Sequence, residues 1–187
     1  MRGYFGIGME GISKPMNLGA VLRTAHAFGA SFTFTIGASF DRRRVKHADT
    51  SDTVVNLPFH EYPDVQSLHL PRGCRLVGIE ITDDAIELPS FRHPRQAAYV
   101  LGAERSGLSK ELLETCDFIV RIPTRFSINV ALAGALVMYD RMLSLGRFAE
   151  RPVKVGGPLE PLPPHRHGAP IWQSRLRRRL SKTTGSG

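Results

Sequence analysis

A chain of 187 residues is long enough for one well-buried domain and short for two. Its hydrophobic fraction of 42% and charged fraction of 22% are those of a globular protein, which excludes a disordered or fibrous chain. The net charge of +8 is unevenly spread: residues 151–187 carry eight Lys or Arg against the single acid Glu160, so residues 1–150 are close to neutral and basicity does not mark them as a nucleic-acid binder.

Apolar, β-branched runs alternate with helical periodicity along the chain, the pattern of an α/β domain with a mainly parallel sheet flanked by helices. A strand is predicted over 4–9. A helix follows over 17–28, with Leu18, Val21, Leu22, Ala25 and Phe28 at helical spacing and Gly29 as its stop. Ser31–Ile36 reads as a second strand. Residues 37–71 are expected to form loops and short elements, holding the basic cluster Arg42, Arg43, Arg44, Lys46 and His47, then a short strand around 54–57. Strands are predicted over 75–81, 97–101 and 118–122. Ser109 is a good cap for a short helix between the last two, and a long helix covers about 128–145.

After Phe148 the composition turns to Pro and Gly, then to the basic run Arg177, Arg178, Arg179. Residues 1–148 are therefore expected to be the folded domain, and 149–187 a flexible tail. Cys74 and Cys116 lack metal-ligand spacing and are expected to be buried, reduced thiols. No window approaches the roughly 18 apolar residues of a membrane span. The first residues lack the apolar run of a signal peptide, so a cytoplasmic protein without a membrane partner is expected.

Gly6, Gly8 and Gly11 spell G-x-G-x-x-G after a strand and suggest a dinucleotide site. That mechanism needs a helix to begin at the glycines, so that its N-terminus meets a pyrophosphate. Here Ile12-Ser13-Lys14-Pro15 intervenes, and positions 26–36 hold no acid to take a ribose hydroxyl. The glycines are read as permitting a tight loop.

Three segments carry polar residues in places suited to chemistry. Lys14 to Ala25 opens a helix with Pro15 and Asn17, Asn17 being a candidate cap, and sets Arg23 off the apolar face. Tyr99 to Ser109 runs from a buried strand into a loop holding Gly102, Glu104 and Gly107. Ligand sites in such sheets gather beyond the carboxyl ends of strands, and glycines allow close backbone approach. Arg121 to Leu136 ends a strand at Pro123 and starts the long helix, with Ser127 as the candidate cap, Asn129 in the first turn and small residues at Ala131, Ala133, Gly134 and Ala135. Taken singly, each is equally an ordinary amphipathic helix, a strand-to-helix loop or a core helix.

In this order and spacing the three resemble the motifs of the SpoU (TrmH-like) branch of the SPOUT RNA methyltransferases, over about residues 3–147. Asn17, Gly19, Arg23, Thr24 and Ala25 match an N-x-G-x-x-x-R-T-A helix. Leu101, Gly102, Glu104, Gly107 and Leu108 match an L-G-x-E-x-x-G-L loop, and Ile122, Pro123, Ser127, Asn129, Val130 and Ala133 match an I-P…S-x-N-V-x-x-A helix. Thr124 replaces the usual Met after the proline, Ala131 stands where a second Ser is common, and the link from Pro123 to Ser127 is short.

The resemblance implies a C-terminal deep trefoil knot, a homodimer and S-adenosyl-L-methionine as cofactor, with no metal. It implies cofactor contacts at Ile81, Leu101, Gly102, Gly107, Ile122, Ser127, Ile128 and Leu132. It further implies catalytic or positioning roles for Arg23, Asn17, Glu104, Ser127 and Asn129 in methylating a ribose 2′-oxygen of RNA. Transfer RNA is favoured over ribosomal RNA because no separate RNA-recognition domain is evident. Arg42, Arg43, Arg44 and Lys46, with Arg177, Arg178 and Arg179, are the expected RNA contacts. The alternatives are a catalytically silent RNA-binding module of the same fold, a ribosomal RNA enzyme, and an ordinary doubly wound nucleotide-binding protein.

Overall fold

The computed structural model describes residues 3–39, 57–103, 106–146, 148 and 155. Its elements run β1 (Tyr4–Glu10), α1 (Pro15–Ala27), β2 (Phe32–Ile36), β3 (Phe59–Tyr62), β4 (Arg75–Ile79), β5 (Ile86–Glu87), a 3₁₀ turn (Leu88–Ser90), β6 (Gln96–Leu101), α2 (Lys110–Thr115), β7 (Phe118–Arg121) and α3 (Val130–Leu145). The strands form one seven-stranded sheet in the order β3-β2-β1-β6-β4-β7-β5, with every pairing parallel. All carboxyl ends therefore lie along the same edge. The central strands are apolar in nearly every residue, as strands covered on both faces must be.

Each face has its own core. Ile7, Met9, Val77, Tyr99 and Leu101 pack against Leu18, Val21, Leu22 and Ala25 of α1 and Val130, Ala133, Val137 and Met138 of α3. On the other face Phe34, Ile36, Leu76, Ala98 and Val100 meet Leu108 and Leu112, with Tyr62, Val65, Leu68 and Leu70 alongside. The glycines of β1 have a packing reason. A Cβ on Gly6 would lie 2.3 Å from the ring of Phe32, and one on Gly8 would lie 2.5 Å from that of Phe34. Gly6 and Gly8 are thus strand residues under two phenylalanine rings rather than part of a tight loop. Only Gly11, with φ +62°, turns the chain.

Several boundaries differ from expectation, each for a local reason. Helix α1 begins at Pro15, whose fixed φ suits the first helical position, and Lys14 occupies the cap position with no capping bond from its side chain to the first-turn amides. Asn17 is therefore inside the first turn and caps nothing. In α3 the cap is Asn129, whose Oδ1 accepts from the Ala131 amide at 2.9 Å, so Ser127 and Ile128 precede the helix. The expected strand at 54–57 falls largely outside the described residues, and the strand pairing β2 is Phe59–Tyr62, whose His60 and Glu61 hide it from an apolar pattern. Ser109 caps α2 as expected, its Oγ accepting from the Leu112 amide. Arg42, Arg43, Arg44 and Lys46, like Arg177, Arg178 and Arg179, lie outside the described residues.

Candidate functional site

The carboxyl ends of β4, β6 and β7 and the start of α3 enclose a cleft of about 420 Å³, within the range of small-molecule sites. Its apolar wall comes from Ile79, Ile81, Leu101, Ile122, Ile128 and Val130. Its polar lining comes from Lys14, Glu80, Arg121, Thr124, Ser127 and Asn129, together with the backbone around Gly102, Ala103 and Gly107.

Of the eight residues expected to hold a cofactor, seven border this one cleft: Ile81, Leu101, Gly102, Gly107, Ile122, Ser127 and Ile128. Leu132 does not. It is 61% exposed, because α3 turns Val130 and Ala133 towards the sheet and Leu132 away from it.

The loop after β6 is held in a narrow shape. The Gly107 amide donates to the Ala103 carbonyl at 2.8 Å, closing a tight turn. Gly107 has φ +66°, where glycine alone is unstrained. At Gly102 a Cβ would lie 2.2 Å from the Gly107 carbonyl carbon and 2.4 Å from the Leu108 nitrogen, so the two limbs of the loop touch through a missing side chain. Glu104 lies outside the described residues.

Two acids unforeseen from sequence fasten this loop. Glu80, just past β4, accepts from the Leu108 amide at 2.8 Å through Oε2 and from the Ile81 amide at 2.9 Å through Oε1. Glu10, the last residue of β1, accepts from the Ser109 amide at 2.7 Å and from its hydroxyl at 2.6 Å. Each carboxylate satisfies donors that would otherwise be orphaned at a strand-to-helix junction. The signal was present: Met9-Glu10 and Ile79-Glu80 each put an acid at the carboxyl end of a buried strand.

The first and third segments meet. Asn129 Nδ2 donates to Asn17 Oδ1 at 3.3 Å, so one amide caps α3 through its oxygen and ties α3 to α1 through its nitrogen. Ser127 is exposed at the cleft mouth. Arg23 is exposed on α1 and does not border the cleft. It lies nine residues beyond the cleft-lining Lys14, about 13 Å further along the helix axis. Among the described residues no three His, Cys, Asp or Glu side chains are grouped as a metal site, and no helix is long and apolar enough to cross a membrane.

The cysteines are unpaired and half-buried. Burial pushes the Cys116 thiol up to about 12, leaving it protonated and unreactive at neutral pH. Burial also raises Cys74.

Known proteins are similar to this chain in sequence and in fold. The chain is 33% identical over 142 residues to the 23S rRNA (guanosine-2′-O-)-methyltransferase of Bordetella pertussis, covering 71% of this chain and 56% of that one. It is 27% identical over 137 residues to the tRNA (guanosine(18)-2′-O)-methyltransferase of Escherichia coli K12, covering 71% and 60%. Among solved structures, the AdoMet-bound rRNA methyltransferase of Sinorhizobium meliloti superposes with a TM-score of 0.68 at 22% identity, over 78% of this chain and 58% of that one. The chain thus spans little more than half the length of these relatives. The SpoU rRNA methylase family model matches residues 5–139, taking in the sheet, the cleft and most of α3, and the chain belongs to that family.

Proposed function

We propose that the protein is an S-adenosylmethionine-dependent RNA 2′-O-ribose methyltransferase, with tRNA as its first-choice substrate. The observation that carries this reading is the single cleft in which seven of the eight expected cofactor residues converge. The cleft suits the cofactor: apolar walls for an adenine, the backbone of Gly102 and Gly107 on its border, and room of about 420 Å³. Ile79, Ile81, Leu101, Ile122 and Ile128 would hold the base, and the 102–107 and 122–128 segments would supply backbone hydrogen bonds. When bound, the cofactor supplies a methyl group on a sulfonium.

The ribose 2′-hydroxyl must lose its proton as its oxygen is alkylated. Arg23 cannot take it, since a guanidinium stays protonated in proteins. Its fixed charge instead holds the neighbouring phosphate and stabilises the developing alkoxide. Glu104 is assigned as orienter of Arg23 or acceptor of the proton. Ser127 positions the ribose from the cleft mouth, and Asn17 and Asn129 keep α1 and α3 in register.

The site is completed by a second copy of the chain. Leu132, Leu136 and Tyr139 form an exposed apolar stripe on α3, with Met16 and Phe126, each 75% exposed, on segments flanking the cleft. A soluble monomer rarely leaves such a stripe open. Arg23, too far along its own helix to serve its own cleft, serves the partner's. The trefoil knot of the family, formed as the chain after β7 passes through an earlier loop, belongs to the same reading.

The test is methyl transfer from labelled S-adenosylmethionine to bulk tRNA and to ribosomal RNA, alongside solution mass. A dimer that labels tRNA, and loses both mass and activity in Leu132→Glu/Leu136→Glu, supports every part of this reading. The 33% identity to a 23S rRNA enzyme favours ribosomal RNA as the second substrate class. A monomer that binds no cofactor would leave only an RNA-binding module of the same fold.

A further inference from the structure

A pair of hollows lies at the amino ends of the strands, on the sheet edge opposite the cleft. One, of about 420 Å³, is bordered by Gly3, Gly73, Arg75, Pro94, Arg95 and Gln96. The other, of about 490 Å³, shares Arg75 and Pro94 and adds Arg92, His93, Asp117 and Phe118. The shared residues make them one groove, and three guanidinium groups border it. Its acid, Asp117, pairs with Arg75 at 2.6 Å. Among the described residues, neither Arg92 nor Arg95 has a carboxylate within ion-pair distance.

The segment carrying Arg92 and Arg95 is fastened from below. His93 is buried, with Nδ1 2.6 Å from the Tyr99 hydroxyl and Nε2 2.9 Å from Asp140. Arg141, buried beneath the segment, donates to the Pro94 carbonyl at 2.5 Å and the Arg95 carbonyl at 2.8 Å. With one side chain held inward and two carbonyls pinned, Arg92 and Arg95 are left exposed on either side. Arg141 also donates to the Tyr4 carbonyl and the Tyr99 hydroxyl, so all its direct acceptors are uncharged and its positive charge adds to the groove.

An open groove with spaced guanidinium groups on a pinned backbone segment and little competing acid matches a chain of phosphates, each able to take a guanidinium fork. We propose that this groove is a second contact surface for substrate RNA, gripping its phosphodiester backbone through Arg75, Arg92 and Arg95. The inference rests on the RNA-modifying reading above. The length of β6 separates the groove from the cleft by about 17 Å, so a contact here holds the body of the RNA rather than the reacting ribose. Phosphate contacts of this kind set position and affinity without reading sequence.

The test uses the full chain and its Arg92→Gln/Arg95→Gln variant, titrated with bulk tRNA and with ribosomal RNA between about 50 and 200 mM salt. Each lost phosphate contact lowers the slope of log affinity against log salt by about 0.7–0.9, so the double variant is expected to lose about 1.5 in slope and about tenfold in affinity at low salt. Arg92→Glu/Arg95→Glu deepens both losses. Affinity for S-adenosylmethionine, the melting temperature and methyl transfer at saturating RNA remain those of the parent, which separates a docking surface from a damaged fold. A parent that binds RNA while the double variant matches it in affinity and slope overturns the groove alone. A parent that binds neither RNA at any salt overturns the functional reading and the groove with it.

Discussion

Replacing Arg141 by Met removes a guanidinium that holds together the amino ends of β1 and β6 and the segment before β6. The side chain is 1% exposed and donates to the carbonyls of Pro94, Arg95 and Tyr4 at 2.5, 2.8 and 3.2 Å, and to the Tyr99 hydroxyl at 3.1 Å. It also lies over the rings of Phe5 and Tyr99, 5.3 and 5.8 Å from their centroids. A hydrogen bond from a charged donor contributes about 1.5–3 kcal/mol, which would put four of them near 6–12 kcal/mol. Desolvating the guanidinium offsets several kcal/mol of that sum. Methionine fills much of the volume but removes one donor from each oxygen, leaving the Arg95 carbonyl only the Tyr4 amide and the Tyr99 hydroxyl only His93, so the expected loss is about 3–5 kcal/mol. Urea unfolding at pH 7.5 reads it directly: with a slope near 2 kcal/mol/M, the midpoint falls by about 2 M. Because Arg141 sits at the edge opposite the cleft, the folded fraction keeps its cofactor affinity. A loss below about 1 kcal/mol would refute the reasoning, since it would mean that the four oxygens find water as readily as they find Arg141.

Three further outcomes follow from the geometry. Gly102→Ala places a methyl 2.2 Å from the Gly107 carbonyl carbon, and overpacking of about 1–3 kcal/mol should appear as a five- to 150-fold loss of cofactor affinity by calorimetry; an unchanged affinity would show that the loop is not the binding wall. Asn129→Ala loses the α3 cap and about 1 kcal/mol of stability, whereas Asn129→Asp keeps the cap and loses only the donor to Asn17, so a fall in turnover with normal unfolding in the Asp variant isolates the α1–α3 link. His93 gives a pH dependence. Burial lowers its pKa despite the Asp140 carboxylate, so the folded ring is neutral, while the unfolded chain takes up a proton at about 6.5. Acid therefore favours unfolding: stability is lost as pH falls below about 6.5, by at most about 1.4 kcal/mol per unit, until the folded pKa is reached. His93→Gln should flatten that slope in denaturant titrations at pH 7.5 and 5.5, and an equal slope in both proteins would place the acid sensitivity elsewhere.

The sheet was legible because its strands are short apolar runs separated by one amphipathic helix and one capped turn. What the pattern could not show was strand identity where polar residues intrude, as at His60 and Glu61 in β3, or where only Ile86–Glu87 pair in β5. The cleft was legible from Gly102, Gly107, Ile122 and Ser127 because those types at those spacings match a known family. Val130, Ala133, Val137, Met138 and Arg141 fall on one face of α3, so Arg141 was marked as inward by position, although its charge suggested solvent. The same arithmetic puts Leu132, Leu136 and Tyr139 on the opposite face and away from the cleft. Glu10 and Glu80 were missed for another reason: a carboxylate that accepts backbone amides has no spacing signature, and its partners Ser109 and Leu108 are distant in sequence.

The most direct measurement is where a transferred methyl group lands. Labelled S-adenosylmethionine is incubated with tRNA, the RNA is hydrolysed in alkali and the products are sized. Strand cleavage by alkali needs a free 2′-hydroxyl, so a 2′-O-methyl group leaves its label in an uncleaved dinucleotide, while a methylated base leaves it in mononucleotides. The expected result is label in dinucleotides, lost in Arg23→Ala at unchanged cofactor affinity. Label in mononucleotides, or undiminished dinucleotide label from Arg23→Ala, would contradict the ribose methylation chemistry and the part assigned to Arg23.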